Sequence, residues 1–248
     1  MAKDLFSNQS DLYARYRPTY PQELFDYILS FVNEKNLAWD CATGNGQAAT
    51  ILSTHFKKVI ATDISTAQLS KAVQKENIEY VVCPAESTSF DENIFDLVTV
   101  AQAYHWLKWS SFKEEVTRVA KPRAVLAVWM YGGHRTDDVT VNKAVRSFHK
   151  NITGPYWDNE RRHVDDNYAT VEFNYELLPA KEFTIQLSWQ REDLLGYIST
   201  WSALQKYEAA QGHSALPFIK REIENLWLPG EVKKVIFPVY LKLGRITK

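Results

Sequence analysis

The chain is predicted to be an α/β protein of the doubly wound type, and three stretches carry that prediction. Leu37-Ala38-Trp39-Asp40-Cys41 is a short apolar run that leads into a turn of small residues, Ala42 to Gln47, and then into a helical start, Ala48-Ala49-Thr50-Ile51-Leu52. Lys58-Val59-Ile60-Ala61-Thr62 forms a second strand that closes on Asp63. Phe95-Asp96-Leu97-Val98-Thr99-Val100-Ala101 is a long apolar run bounded by polar residues, the pattern of a parallel strand buried on both faces. The first two stretches make a β-α-β unit, because parallel strands need a crossover helix. Ligands of such sheets bind at the carboxyl ends of the strands. Gly44 and Gly46 are therefore expected where backbone approaches a ligand, and Asp63 where a carboxylate can accept from two ribose hydroxyls.

The remaining elements follow in chain order. Residues up to Ser10 are polar and read as loosely docked, and Asp11 to Tyr20 is rich in aromatic and arginine side chains. Pro21 suits the opening turn of a helix, and Leu24, Phe25, Ile28, Leu29 and Val32 give that helix one apolar face. Ser65 is placed to cap a further helix. Glu79 to Cys83 reads as a strand ending at Pro84-Ala85-Glu86. The Phe95–Ala101 strand delivers Gln102, Tyr104, His105 and Trp106 to the ligand edge. Phe112, Val116 and Val119 mark a helix that stops at Lys121-Pro122, and Ala124 to Trp129 forms a fifth strand, broken by Gly132-Gly133. Val141 to Lys150 has helical spacing, Phe183 to Trp189 alternates like a strand, and Leu194 to Trp201 reads as a helix. Val235 to Leu243 is a terminal strand, where Pro238 predicts an edge position or a bulge. Together these give a Rossmann-like, seven-stranded, mostly parallel sheet with a C-terminal antiparallel edge hairpin. The chain is expected to be one domain, 1–248, with an N-terminal cofactor-covering segment and helix over 1–36 and substrate-lid segments over 132–180 and 190–230.

Bulk properties narrow the function. The 248 residues are 45% hydrophobic, enough for a sizeable core, and the formal net charge is −1 with no basic stripe, which argues against a nucleic-acid partner. The longest apolar runs are strand-sized, so no membrane span is expected. Met1 to Phe6 lacks the apolar stretch of a signal peptide. The two cysteines, Cys41 and Cys83, have no metal-ligand spacing, so neither a metal site nor a disulfide is expected and a reducing cytoplasm fits.

The ligand class turns on the small-residue turn. A P-loop would need the run G-x-x-x-x-G-K-[ST], which the chain lacks. A dinucleotide site would follow G-x-G-x-x-G, and here Ala49 occupies the third glycine position, which weakens that reading without excluding it. Asp40 separates the alternatives. A pyrophosphate would be repelled by this carboxylate, whereas a ligand carrying an ammonium and a sulfonium would be attracted.

Asp40-Cys41-Ala42-Thr43-Gly44-Asn45-Gly46-Gln47 resembles the first motif of class I S-adenosylmethionine-dependent methyltransferases, D-x-G-x-G-x-G, with Ala42 in place of the first glycine. Tyr13-Ala14-Arg15-Tyr16-Arg17-Pro18-Thr19-Tyr20-Pro21 and Ala101-Gln102-Ala103-Tyr104-His105-Trp106 resemble the branch that contains trans-aconitate methyltransferase-like enzymes. The resemblance implies S-adenosylmethionine as cofactor, held by Tyr13, Arg17, Asp40, Ala42, Gly44, Gly46, Gln47, Asp63, Ile64, Ala85, Glu86 and Ala101. It brings Tyr13 and Arg17 to the methionine end and Ile64 to the adenine. The acid that relatives often carry at the Pro84 position is absent, which leaves the Ala85 backbone or Glu86 to meet the adenine amino group.

The acceptor is read from the other side of the site. Gln102, Tyr104 and His105 are the candidate catalytic residues, and the solution pKa of His105 suits proton work near neutrality. Trp106, Tyr156, Trp157 and Trp201 suit an apolar acceptor pocket, and suit core packing equally well. Arg161-Arg162 beside Asp165-Asp166 is either a solvated charge network or a cationic rim for an acidic substrate, with Arg161 the candidate contact. The similar enzymes include carboxyl O-methyltransferases, so a carboxylic acid is the expected small-molecule acceptor, with amine, carbon and phenol acceptors open. An NAD-linked oxidoreductase and a non-catalytic cofactor-binding scaffold are the rival functions, and the chain is expected to act as a monomer or homodimer.

Overall fold

The computed structural model describes residues 15–248. Its centre is a sheet in which five parallel strands stand in the order β3-β2-β1-β4-β5. These are β1 (Leu37–Cys41), β2 (Lys58–Asp63), β3 (Ile78–Val82), β4 (Phe95–Ala101) and β5 (Ala120–Tyr131). The chain lays down β1, β2 and β3 in one direction, then crosses back and adds β4 and β5 on the other side of β1. That reversal creates a crevice at the carboxyl ends of β1 and β4, the place where open α/β sheets take their ligands.

Both faces of the sheet are covered, which is why its inner strands are apolar throughout. Trp39, Val98 and Leu126 point to one face, where they pack with Phe112, Val116 and Val119 of the helix Trp109–Val119. Ala38, Leu97 and Val125 point to the other, against helix α1 (Gln22–Leu29) and helix α2 (Gln47–Leu52). That second face continues into a cap formed by helices over Val139–Ser147, Arg191–Ser199, Ser202–Gln211 and Leu216–Leu226. No helix among the described residues is long and apolar enough to cross a membrane.

At the antiparallel end of the sheet the two late strands pair with each other as the expected edge hairpin. Strand β9 (Lys233–Arg245) lies inside the sheet, paired with β5 through Val239–Arg245 and with β8 (Phe183–Trp189) through Lys233–Val239. Two short strands also join it, β6 (Arg135–Thr136) and β7 (Glu176–Leu177), so the described sheet has nine strands rather than seven. Pro238 does not mark an edge. Its carbonyl accepts from Gly132 N on the β5 side, so its missing N–H falls in the gap between β5, which stops pairing at Val239, and β6, which starts at Ile236. The bond from Gly132 N to Pro238 O is the one bond this pair makes, and the β5–β9 ladder ends there.

Candidate active site

The turn after β1 is built around a buried carboxylate. Asp40 is fully buried; its Oδ1 accepts from Thr99 Oγ1 at 2.7 Å, and its Oδ2 accepts from Ala49 N at 3.0 Å and from the Thr43 hydroxyl. Asp40 thereby ties β4, the turn and α2 together, and it does not line the cavity, contrary to the expectation of a direct ligand contact. Burial raises its carboxyl to about 6, against the opposing pull of those hydrogen bonds. The turn itself runs through positive φ at Ala42 (52°), Gly44 (58°) and Gly46 (78°). Alanine therefore adopts the left-handed backbone where the motif usually has glycine. Gly44 faces the cavity; Gly46 does not, and its need for glycine arises elsewhere, because a Cβ there would stand 2.6 Å from Tyr80 Oη.

The cavity opens at the crevice that the strand order creates. Ala42, Thr43, Gly44 and Gln47 form its floor, and Asp63, Ile64 and Ser65 stand at the tip of β2. Asp63 Oδ2 accepts from Gly44 N at 2.8 Å and its Oδ1 from Ser65 N at 2.9 Å, so the second strand's acid locks the first strand's turn in place. Ser65 also caps the short helix Thr66–Leu69, as expected. Cys83, Ala85 and Glu86 line the β3 end, where Glu86 Oε1 accepts from Lys108 N at 2.9 Å. Arg17 also lines the cavity; its Nη1 donates to Tyr131 Oη at 3.0 Å and its Nη2 to Thr200 O at 3.2 Å, with the guanidinium over the Tyr197 ring. Tyr13 lies outside the described residues.

On the opposite wall β4 ends at Ala101 and the chain turns sharply at Gln102, whose φ is +57°. The Gln102 side chain holds that turn with a pair of bonds to Tyr131, donating from Nε2 to its carbonyl at 3.2 Å and accepting at Oε1 from its N–H at 2.7 Å. His105 and Trp106 follow on the cavity wall, their rings 4.7 Å apart. His105 is 6% exposed and its Nδ1 lies 2.7 Å from Tyr168 Oη. Burial, reinforced by Arg161 and His163, pulls its pKa down to about 3, so the ring is neutral at physiological pH. Tyr104 turns the other way. Its hydroxyl donates to Glu172 O at 2.7 Å, its ring stacks on Trp109, and it does not reach the cavity.

The cap supplies the last wall. Trp157 and Arg161 line the cavity, with the Arg161 guanidinium 4.6 Å above the Trp157 ring and its Nε bonded to Asp165 Oδ1 at 3.1 Å. Trp201 stands behind Trp157, ring centroids 5.6 Å apart, and supports it without lining the cavity. Tyr156 likewise faces away; it packs on Tyr207 and accepts from Gln211 Nε2 at 2.8 Å. Several wall residues carry no signal in the sequence. Asp158, ion-paired with Lys206 at 2.6 Å, and Ser202 come from cap segments whose pairing only the fold reveals. Tyr131 lies just past the expected end of β5, and Tyr168 reaches His105 from a loop with no recognisable spacing.

Comparison with known proteins agrees with this geometry. Residues 39–128 match the family model described as a methyltransferase domain, which spans β1 to β5 and most of the cavity floor. A Dictyostelium discoideum protein designated a methyltransferase is 34% identical over 251 residues, covering 98% of this chain and 95% of the relative. A solved structure from Anaeromyxobacter dehalogenans, designated a type II methyltransferase, is 33% identical and superimposes with a TM-score of 0.84, covering 94% of this chain and 99% of that one. A Saccharomyces cerevisiae protein designated an S-adenosylmethionine-dependent methyltransferase is 28% identical over 177 residues, 67% of this chain and 59% of the relative. With this sheet order, a crevice at the β1–β4 switch and relatives matched over nearly its whole length, the chain belongs to the class I S-adenosylmethionine-dependent methyltransferases.

Proposed function

We propose that the cavity joins S-adenosylmethionine to a small carboxylic acid and that the enzyme methylates a carboxylate oxygen. The observation that carries the acceptor class is Arg161. Its guanidinium is stacked on Trp157, its Nε is anchored by Asp165, and its two Nη groups make no hydrogen bond within the described residues. A planar cation fixed in this way on the cavity wall matches a carboxylate in geometry as well as charge. Trp106, Trp157 and Val164 add apolar wall to the same cavity, which strengthens the pairing by excluding water.

The donor set on the other side fits the cofactor. Asp63 at the tip of β2 would hold the ribose hydroxyls, and the Gly44 backbone would lie beneath the cofactor, with Ala42 and Gln47 beside it. Ile64 would lie against the adenine and Ala85 and Glu86 at its amino edge. Arg17 would take the methionine carboxylate, while Asp40 would act at one remove, by shaping the turn. When bound, S-adenosylmethionine supplies a methyl group already made electrophilic by its sulfonium. The residues of this chain are then left with binding, alignment for in-line displacement and exclusion of water. Gln102 fixes the turn at Ala101, and His105 and Trp106 border the acceptor space. The cap segments would close over the acceptor.

The test has two steps. Calorimetric titration with S-adenosylhomocysteine, with NAD as control, is expected to show micromolar binding of the first and none of the second. Transfer of labelled methyl from S-adenosylmethionine is then measured on matched panels of carboxylic acids, phenols and amines. Label in base-labile ester only from the carboxylic acids supports the reading, and label confined to phenols or amines overturns it.

A further inference from the structure

We propose that Tyr168 holds His105 in the tautomer whose proton sits on Nε2, so that this histidine offers the acceptor a fixed hydrogen-bond donor and never serves as its base. The inference rests on reading the cavity as the methyl-transfer site and narrows what that site accepts.

The geometry begins with two nitrogens in different surroundings. His105 Nδ1 is engaged by Tyr168 Oη at 2.7 Å, deep in the apolar layer that also holds Val164. His105 Nε2 makes no hydrogen bond within the described residues, and the ring lines the cavity. Nε2 is thus the nitrogen left to meet a ligand. Which nitrogen carries the proton depends on the direction of the Tyr168 bond. A phenol has one proton to give. Tyr168 Oη makes no other hydrogen bond among the described residues, so accepting from an Nδ1–H would leave its own buried proton without an acceptor, whereas donating to Nδ1 satisfies it. Nδ1 therefore accepts, and the neutral ring carries its hydrogen on Nε2.

The backbone that presents Tyr168 is in an unusual conformation. Asn167 and Tyr168 have φ of 56° and 59°, and a bulky aromatic residue in the left-handed region is a true outlier. Such strain persists only where the surroundings over-determine it. Here Tyr168 N donates to His163 O at 2.7 Å and the ring is 1% exposed. The charged and titratable groups that face His105 are Arg161 and His163 from the cap and Tyr168 itself, and both cap groups oppose a second proton on the ring. A donor at Nε2 holds and stabilises an oxygen that is already ionised. It cannot take the proton that an alcohol or phenol must lose on methylation.

The experiment is histidine side-chain nitrogen NMR on the full chain labelled with 15N-histidine and saturated with S-adenosylhomocysteine. The chain has six histidines, and the His105 signals are assigned by their loss in His105→Gln. The expected spectrum shows His105 protonated on Nε2 and bare on Nδ1, unchanged across about pH 5 to 8. Tyr168→Phe, which keeps the ring and removes the hydroxyl, is expected to give a mixture of tautomers and a ring that titrates at higher pH, with cofactor-product binding retained. A proton on Nδ1 in the wild type, or an unchanged tautomer in Tyr168→Phe, overturns the proposal. If that variant does not fold, the wild-type spectrum decides alone. Titration of the same samples with S-adenosylhomocysteine keeps the two readings apart. Absent binding sinks the proposed function, whereas intact binding with the other tautomer sinks only the role of Tyr168.

Discussion

Arg161, partly exposed on the cavity wall, and Asp40, fully buried, show two different uses of a single charge. Arg161 keeps its Nη groups without partners in the described structure while its ring face and Nε are satisfied, so Arg161→Ala removes a ready contact without leaving a buried charge behind. A hydrogen bond to a charged group contributes roughly 1.5–3 kcal/mol, so this variant is expected to raise the KM for a carboxylate acceptor by at least about tenfold. S-adenosylhomocysteine affinity, measured by calorimetry, should stay as in the wild type. Asp40 instead carries its charge where water cannot reach it. Its folded pKa of about 6 exceeds the unbound value of 3.8. Over that interval the folded state holds a proton that the unfolded state has lost, so Asp40 makes the fold progressively less stable as pH rises from about 4 to about 6 and adds no further change above that. The span corresponds to about 3 kcal/mol at 1.36 kcal/mol per unit. Denaturant melts of the wild type and Asp40→Asn should therefore diverge over this window, with the wild type losing ground as pH rises. Parallel pH profiles would show that Asp40 does not carry the shift.

Among the elements, the turn from β1 into α2 is the one whose glycine does structural work against a neighbour. At φ +78° a Cβ on residue 46 is strained, and Tyr80 Oη, held by Val73 O at 2.9 Å, stands in its way. Gly46→Ala is expected to lower stability by about 1–3 kcal/mol, and Tyr80→Phe in the same chain should recover part of that loss. Full additivity of the two changes in a double-mutant cycle would remove Tyr80 from the account. How legible each element was depended on how evenly it is buried. β8 was readable to the residue from its alternation, because one face packs and the other meets solvent. β4 read as a continuous apolar run, yet it hides Asp96, which is 5% exposed and accepts from Asn36 N and Leu37 N while paired with Lys121. The helix Ser202–Gln211 was missed because it buries only Ser202, Ala203 and Leu204, too few to print a period. In the site, Asp63, Gly44 and His105 were legible from their places at strand ends. Tyr168 and Asp158 were not, because only the folded packing brings Tyr168 to His105 and Asp158 to the cavity. Asp40, Gly46 and Tyr104 had the right address and the wrong orientation.

For the whole molecule, cap and sheet share one apolar cluster, which runs from Leu24 in α1 through Val125 and Phe237 in the sheet to Ile219 and Trp227 in the cap. The two parts should unfold together, and a ligand seated between them should stabilise both. At a hundredfold excess over Kd, S-adenosylhomocysteine adds about 2.7 kcal/mol, which for a domain of this size raises Tm by roughly 5–11 °C. Far-ultraviolet and tryptophan signals should move by the same amount. A shift in only one of them would mean that the cap melts on its own.

The position of β9 inside the sheet has a consequence for biosynthesis. Among the described residues β8 pairs with β9 alone, and β5 also waits for β9 to cover its outer edge. The ribosome makes β9 after both. Until it has left the exit tunnel, the nascent chain presents two unsatisfied strand edges and the apolar side of β8, a ready template for chain-to-chain pairing. The parallel half of the sheet can assemble during translation, but insertion of β9 has to follow it.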